Sequence, residues 1–156
     1  MRLTTRVAGI ILKDDEILLM HRVKNGDEYW VFPGGGLEDT DSSPEKGLIR
    51  ELIEETTLTV TIKKLLYKHD YTTSDGLYYF CDYVSGIPSL GDSIELERMK
   101  AGKTDLYEPA WYPTSALSSL LVYPLEIRDL LIKDLNSNFE HEPIVQKYDT
   151  KDLRKS

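Results

Sequence analysis

The chain has 156 residues, of which 40% are hydrophobic and 29% are charged, and its formal net charge is −8. This length and composition are typical of one globular domain with a substantial core. The negative charge argues against a general nucleic-acid binder or an anionic-membrane binder, because both need a basic surface. It does not exclude a nucleotide ligand, since bound cations can reverse the sign of a site.

The single cysteine and the lack of long apolar runs bear on the compartment. Cys81 is the only cysteine, which excludes an internal disulfide and fits a reducing environment. No apolar run approaches the roughly 20 residues of a membrane-spanning helix. The apolar run at 7–12 is too short for the hydrophobic region of a secretory signal, and charged residues follow it. These features predict a cytoplasmic protein with no membrane partner.

The first third of the chain predicts strands that lead into a glycine turn. Apolar runs at 4–12 and 16–22 predict a β-hairpin joined by a turn at Asp14 and Asp15. A polar loop is expected at 23–28 and a short strand at 29–32. That strand is followed directly by three consecutive glycines at 34–36.

A helix is predicted to begin after an acidic loop. Ser43 is a suitable N-cap and Pro44 fits the first helical position. At 100° per residue, Glu51, Glu54 and Glu55 fall on one side of this helix. The other side is apolar and consists of Leu48, Ile49, Leu52 and Ile53.

The acidic side of the helix has two explanations. Like charges at these spacings repel by roughly a few tenths of a kcal/mol per pair, and Glu54 and Glu55 lie near the helix end that disfavours negative charge. One explanation is a solvated surface, on which Arg50 relieves part of the repulsion. The other is a metal site, because carboxylate oxygens suit Mg²⁺ or Mn²⁺. A bound cation would turn the repulsion into binding.

The rest of the chain predicts more strands and a second helix. Long strands are expected at 58–73 and 77–84 with a turn at 74–76, and residues 85–104 predict a long loop. A short strand follows at 107–112, which its prolines limit to an edge position or a brief run. A helical turn at 114–121 and an amphipathic helix at 124–135 come next. We expect residues 1–135 to form one domain of the α/β class. Residues 136–156 form a polar tail, expected to be weakly ordered or docked through Ile144 and Val145.

The glycines and the motif Arg-Glu-Leu-Ile-Glu-Glu at 50–55 resemble the Nudix box of the Nudix hydrolase family, whose members include MutT-like proteins. Two positions depart from the signature. The glutamate expected in the loop before the helix is absent, so that Asp39 or Asp41 would replace it. The glycine expected after the paired glutamates is Thr57, which takes a left-handed conformation only at some cost, so the helix end is expected to be built differently.

The resemblance implies a fold, a reaction and a cofactor. The fold would be an α/β/α sandwich around a mixed β-sheet. The reaction would be hydrolysis of a diphosphate linkage in a small-molecule nucleotide or nucleotide derivative, that is, a nucleoside diphosphate linked to a further group. The implied cofactor is Mg²⁺ or Mn²⁺. Its implied ligands are the Gly34 carbonyl and the side chains of Glu51, Glu54 and Glu55.

The resemblance also suggests catalytic and substrate-binding residues. Glu54 and Glu55 are candidates for catalysis, and the loop residue Glu97, with Glu95 as second choice, is a candidate base. Gly35 and Gly36 are candidates for substrate binding, since a backbone without Cβ can approach phosphate closely. One or two aromatic side chains would stack on a base. The aromatic candidates are Trp30, Tyr71, Tyr78, Tyr79, Phe80 and Tyr83.

Two alternatives stay open. The two departures from the signature raise the alternative of a degenerate Nudix domain that binds a nucleotide as a sensor without cleaving it. A homodimer would form through the aromatic strand at 77–84 if that strand were exposed.

Overall fold

The computed structural model describes residues 4–70, 74–89 and 106–147. Glu95, Glu97 and Tyr71 lie outside these ranges. The described strands are β1 (Thr4–Lys13), β2 (Glu16–Lys24), β3 (Asp27–Val31), β4 (Gly34–Gly36), β5 (Thr59–Asp70), β6 (Ser74–Ser85), β7 (Leu106–Pro113), β8 (Val122–Tyr123) and β9 (Ile144–Lys147). The helices are α1 (Pro44–Thr56), a 3₁₀ helix (Thr114–Ser119) and α2 (Leu125–Leu135). Within the described ranges, no helix has the length and apolarity needed to cross a membrane.

The strands form one mixed sheet, as the resemblance implied. Its main order is β8-β3-β2-β1-β6-β5-β9, with β4 paired to β1 and β7 paired to β2. β1 is parallel to β6, whereas β5 is antiparallel to β6. Among the described residues β7 pairs only with β2, so the edge position predicted from its prolines is confirmed. The brief run is not, because β7 extends over eight residues.

One helix covers each face of the sheet, which makes the fold an α/β/α sandwich. Leu48 and Leu52 of α1 pack on one face in a cluster that includes Val7, Ile11, Leu18, Leu58, Tyr79 and Cys81. Ile127 and Leu131 of α2 pack on the other face in a cluster that includes Ala8, Ile10, Ile17, Leu19, Leu66, Tyr67 and Tyr78. Alternate residues of β1 therefore serve opposite cores, as a strand buried on both faces requires.

The sheet opens between β1 and β2. These strands pair only at their hairpin end, where Leu12 faces Ile17 and Lys13 faces Glu16. Beyond that point β1 pairs with β4, and β2 pairs with β3 and β7. A recess is lined by residues from both parts of the sheet: Arg6, Ala8, Val31, Phe32, Tyr78, Tyr123 and Pro124. The turn predicted at the three glycines is wrong, because Gly34–Gly36 form strand β4 against β1, where the sheet divides. We continue to call residues 34–36 the glycine turn.

The polar loop predicted at 23–28 is wrong, because β2 and β3 form a tight hairpin there. The strands pair as far as Lys24 opposite Asp27. Asn25 and Gly26 make the turn, both with positive φ, of 54° and 86°. Asn-Gly is the residue pair that such two-residue hairpin turns prefer, so the signal was present in the sequence and was overlooked.

The turn predicted at 74–76 is also wrong, because these residues belong to β6. Gly76 lies opposite His69 of β5. A Cβ at Gly76 would lie 3.0 Å from the Tyr78 ring, so this glycine leaves room for an aromatic side chain within a strand.

β6 itself lies between β1 and β5, and Tyr78 and Tyr79 are buried. Phe80 and Tyr83 are only half-buried and Val84 is 53% exposed, so a homodimer through this strand stays a prediction.

The chain remains in contact with the sheet beyond α2. Strand β9 runs parallel to β5, with Ile144 opposite Tyr67. The Lys64 ammonium donates to the Phe139 carbonyl at 2.7 Å. The polar tail was expected to be weakly ordered or docked, and residues 144–147 are docked on the sheet. Residues 148–156 lie outside the described ranges. The proposed division of the chain at residue 135 stays a prediction.

Candidate active site

Helix α1 begins as predicted but is rotated relative to the predicted apolar face. The Ser43 hydroxyl accepts from the Lys46 backbone N–H at 3.2 Å, and Pro44 occupies the first turn. Ile49 and Ile53, predicted to share the apolar side with the core leucines, are 42% and 53% exposed. Glu51 is only 9% exposed. The helix thus buries the Glu51 carboxylate beside the glycine turn and leaves two isoleucines exposed to solvent.

Packing between Glu51 and the glycine turn explains this rotation. A Cβ at Gly35 would lie 2.3 Å from the Glu51 carboxyl carbon, so only glycine allows the contact. Gly34 is constrained differently, because a Cβ there would lie 2.0 Å from the Val7 carbonyl oxygen of β1. Gly36 has open space around its Cβ position. The structure therefore brings the predicted residues Gly35 and Glu51 together.

Glu51 is held in an unfavourable environment for a charge. Burial raises the pKa of its carboxyl group, and the nearby Arg50 guanidinium opposes that rise. Arg50 Nη1 lies 3.1 Å from Glu51 Oε2 and 3.4 Å from Glu54 Oε1. Two of the three predicted metal-binding carboxylates therefore share one guanidinium nitrogen.

Arg50 also ties the acidic loop to the helix. Its Nε and Nη2 donate to the two carboxylate oxygens of Asp41, at 3.0 and 2.9 Å. The Glu38 N–H also donates to Asp41, at 2.8 Å. These contacts, with Arg50 as the main cause, lower the pKa of Asp41 to about 2. Of the two aspartates proposed to replace the signature glutamate, Asp41 is the one that binds Arg50.

Gly47 makes room for this loop, a role that the sequence reasoning missed. A Cβ at Gly47 would lie 2.3 Å from Leu37 Cδ2 and 2.9 Å from Asp41 Oδ2. The helix surface must be bare at this point for the loop to reach Arg50. The signal available in the sequence was a glycine one helical turn before Glu51, on the same side of the helix.

Glu55 faces a group of side chains from the opposite part of the sheet. The Tyr107 hydroxyl of β7 hydrogen-bonds to its carboxylate, and burial together with the Glu55 charge raises the pKa of Tyr107. The Arg22 guanidinium lies over the Tyr107 ring, 4.7 Å from its centre. The charges of Arg22 and Arg6 both act on Tyr107. The sequence reasoning missed these three residues because they come from three separate strands.

A buried pair of titratable groups lies on the α2 side of the sheet. The His69 side chain of β5 is fully buried, and its Nε2 lies 3.6 Å from Glu126 Oε2 of α2. His69 lies opposite Gly76 of β6. The Cβ position of Gly76 is close to both His69 and Tyr78, and Tyr78 lines the recess.

The donor chemistry of the acidic side fits a divalent cation, although its ligands are not gathered in advance. Within the described ranges, no three His, Cys, Asp or Glu side chains form a group that could hold a metal. Glu51, Glu54 and Glu55 nevertheless supply the oxygen donors that Mg²⁺ and Mn²⁺ prefer. The space at Gly35, which a Cβ would fill, lets Glu51 lie beside the glycine backbone.

Thr57 ends α1 in the left-handed conformation that the signature glycine would adopt, so the expectation of a differently built helix end is wrong. Its φ is 61°, and its N–H donates to the Ile53 carbonyl at 3.1 Å. Its hydroxyl donates to the Ile87 carbonyl at 3.0 Å. The helix end is therefore built as glycine would build it, with a β-branched residue in a strained conformation.

Fold and site together define an α/β/α domain that presents a carboxylate-rich helix behind a glycine turn. The family model described as the NUDIX domain matches residues 3–126. The chain therefore belongs to the NUDIX domain family.

Two curated proteins and one solved structure illustrate the likeness. The chain is 36% identical over 84 residues to a MutT-like protein of Streptomyces ambofaciens, covering 52% of this chain and 53% of that protein. It is 36% identical over 76 residues to the CTP pyrophosphohydrolase of Escherichia coli (strain K12), covering 47% and 56%. The chain thus spans about half the length of these relatives. A NUDIX hydrolase structure from Nitrosomonas europaea superimposes with a TM-score of 0.70 at 14% identity, covering 95% of this chain and 81% of that one.

Proposed function

We propose that the protein is a metal-dependent pyrophosphohydrolase that cleaves a diphosphate linkage in a nucleotide or nucleotide derivative. The observation that carries this proposal is the burial of Glu51 against Gly35, on a helix that also carries Glu54 and Glu55. Burying a carboxylate there costs stability, and the helix exposes two isoleucines in doing so. Such an arrangement is expected where the carboxylate binds a cation and does not serve to stabilise the fold.

In this proposal Glu51, Glu54, Glu55 and the Gly34 carbonyl hold Mg²⁺ or Mn²⁺. A divalent cation held there supplies charge neutralisation for the diphosphate and a lower pKa for bound water. Arg50 keeps Glu51 and Glu54 close together and anchors the acidic loop beside them. Glu97, with Glu95 as second choice, remains the proposed general base, and Glu54 and Glu55 remain the other proposed catalytic residues.

The surroundings of Glu55 and the recess support a small nucleotide as the substrate. In a chain of net charge −8, Arg6 and Arg22 supply positive charge beside an acidic site, where substrate phosphates would lie. Arg6 also lines the recess, whose aromatic walls include Phe32 and Tyr78. We propose that the base occupies this recess and that Gly35 and Gly36 approach the phosphates. A cytoplasmic location, with no nucleic-acid or membrane partner, completes the proposal.

The decisive experiment is a nucleotide panel assayed for released phosphate and pyrophosphate. Wild-type protein is expected to cleave one class of nucleotide with Mg²⁺ or Mn²⁺ and none with EDTA. Glu54→Gln is expected to lower turnover by about 10²–10³-fold with an unchanged melting temperature. Glu45→Gln is the matched control, because it removes a carboxylate from the first turn of the same helix, outside the acidic face.

Two results would contradict the proposal. Near-normal turnover in Glu54→Gln would remove the metal assignment. Nucleotide binding by calorimetry, with no product from any nucleotide in the panel, would instead favour the sensor alternative.

A further inference from the structure

Tyr107 lies on β7, which pairs with β2, whereas the glycine turn pairs with β1. Tyr107 is directly across from Arg22 of β2, and it is 8% exposed. Its hydroxyl hydrogen-bonds to the carboxylate of Glu55. Arg50, by contrast, contacts Glu51 and Glu54 from the loop side of α1. The carboxylates are therefore held from two directions by two different kinds of donor.

We propose that Tyr107 is a positioning residue for Glu55, fixing the orientation in which this carboxylate meets a divalent cation. The inference rests on the proposed function, because it assigns a task within the same metal site. Tyr107 touches the carboxylate and acts through it, so it is not itself a catalytic residue.

The chemistry of the donor suits this task. Glu55 lies near the C-terminus of α1, where the helix dipole disfavours negative charge, and one residue from Glu54. An arginine in place of Tyr107 could offset this repulsion, but a guanidinium placed directly against the carboxylate would oppose the binding of a cation. The Tyr107 hydroxyl is neutral and donates one hydrogen bond to a carboxylate that has two oxygens. It can therefore orient the carboxylate without competing with the metal for charge.

The ring of Tyr107 is held firmly enough to set an orientation. Cross-strand pairing with Arg22 places it on a regular part of the sheet. The Arg22 guanidinium packs over the ring, 4.7 Å from its centre, which is a cation–π geometry. Hydrogen bonds to metal-binding side chains from such surrounding residues typically change metal affinity by about 10–100-fold when they are removed.

The test is Mn²⁺ binding to the full chain without nucleotide, followed by electron paramagnetic resonance of the free ion. Tyr107→Phe removes only the hydroxyl and is expected to weaken Mn²⁺ binding by about 10-fold or more. Tyr112→Phe is the matched control, because Tyr112 is on the same strand but packs toward the α2 side of the sheet. Its Mn²⁺ affinity is expected to equal that of the wild type.

A melting curve of each metal-free variant separates positioning from stability. A purely structural tyrosine would lower the melting temperature and leave the Mn²⁺ affinity of the folded protein unchanged, and that result would overturn the inference. Should Tyr107→Phe not fold, Tyr107→Met and Tyr107→His take its place. The histidine variant, which keeps a ring donor, is expected to bind Mn²⁺ more tightly than the methionine variant, and equal affinities would overturn the inference.

The two proposals fail in different ways. If wild-type protein binds Mn²⁺ and cleaves nucleotides while Tyr107→Phe behaves like the wild type, only the positioning role is lost. If wild-type protein binds no Mn²⁺, both the proposed function and the positioning role are overturned.

Discussion

Arg50 binds both carboxylate oxygens of Asp41, with distances of 3.0 Å from Nε and 2.9 Å from Nη2. Paired contacts between a guanidinium and a carboxylate are among the stronger hydrogen bonds in proteins. Asp41 lies in the loop after β4, whereas Arg50 lies in the middle of α1. The pair therefore joins the glycine turn to the helix that carries the acidic residues.

This pair predicts a loss of stability in acid. The pKa of Asp41 is lowered from 3.8 to about 2, mainly by Arg50. Because the folded-state pKa is depressed, the stability that the pair contributes is fully present above the unfolded value and is lost as pH falls from about 4 to about 2. Asp41→Asn is expected to lower the melting temperature at neutral pH and to lose less stability across that acid range.

Urea unfolding of the wild type and Asp41→Asn at several pH values checks this prediction. The difference between the two proteins should shrink toward the lowest pH. Asp27→Asn, at an exposed position of β3, is the control and should keep a constant difference from the wild type. A difference between wild type and Asp41→Asn that does not change with pH would contradict the assignment.

The three glycines of the turn are expected to respond differently to alanine. Gly34→Ala would place a Cβ 2.0 Å from the Val7 carbonyl oxygen, so we expect a large fall in the melting temperature. Gly35→Ala would meet the end of the Glu51 side chain, which can move aside. This variant should fold but lose Mn²⁺ affinity, by about 10-fold or more. Gly36→Ala should leave stability unchanged, because its surroundings are open.

Melting curves and Mn²⁺ titrations of the three alanine variants provide the measurement. Equal melting temperatures for Gly34→Ala and Gly36→Ala would contradict the close contact with β1. Wild-type Mn²⁺ affinity in Gly35→Ala would contradict the role given to the Glu51 contact.

Replacing Thr57 by glycine is expected to stabilise the protein. Thr57 has a φ of 61°, a conformation that costs a β-branched residue about 1 kcal/mol or more and glycine almost nothing. The lost hydrogen bond to the Ile87 carbonyl offsets part of the gain. We expect Thr57→Gly to raise the free energy of unfolding by about 0.5–1 kcal/mol.

Chemical denaturation of Thr57→Gly beside Thr57→Ala separates the two contributions. Alanine removes the hydroxyl but keeps the strained backbone, so it should be less stable than the wild type. If the glycine variant is no more stable than the alanine variant, relief of backbone strain is not the operative effect.

His141 should make docking of the C-terminal segment sensitive to pH. Its Nε2 lies 2.7 Å from Asp134 Oδ2, and its Nδ1 lies 2.8 Å from the Glu142 carbonyl. A carbonyl and a carboxylate can only accept, so the protonated imidazolium satisfies both. The carbonyl of Glu142 and the carboxylate of Asp134 raise the pKa of His141, with burial and Lys64 opposing. The Tyr67 hydroxyl donates to the same carboxylate.

The sign of the pH dependence follows from the raised pKa. The stabilisation is fully present below the ordinary value of 6.5 and is lost as pH rises through the folded-state value. His141→Gln should therefore be less stable than the wild type in mild acid, with a smaller difference in alkali. Urea unfolding from about pH 5 to about pH 9 tests this, with His21→Gln as control. If the difference in stability between the wild type and His141→Gln grows with pH, His141 does not carry the second proton in the folded state as we infer.

Local features of the chain were readable from the sequence because the interactions behind them are local. A cap and its helix are a few residues apart, which is why Ser43 and Pro44 marked the start of α1. Helical periodicity placed Glu51, Glu54 and Glu55 on one side without any knowledge of the fold. The left-handed end at Thr57 was not predicted, because the strain of a β-branched residue in that conformation argued for a different helix end. The Asn25-Gly26 hairpin was equally local, and it was missed by oversight rather than for want of information.

Tertiary structure alone decided which way the helix faces and what meets it. Periodicity groups side chains but does not choose the buried group, and the contact with Gly35 buried Glu51 while leaving Ile49 and Ile53 in solvent. Tyr107 reaches Glu55 only because β7 pairs with β2 beside α1, across about fifty residues of chain. Such contacts depend on strand order and register, which are set by the packing of the whole sheet.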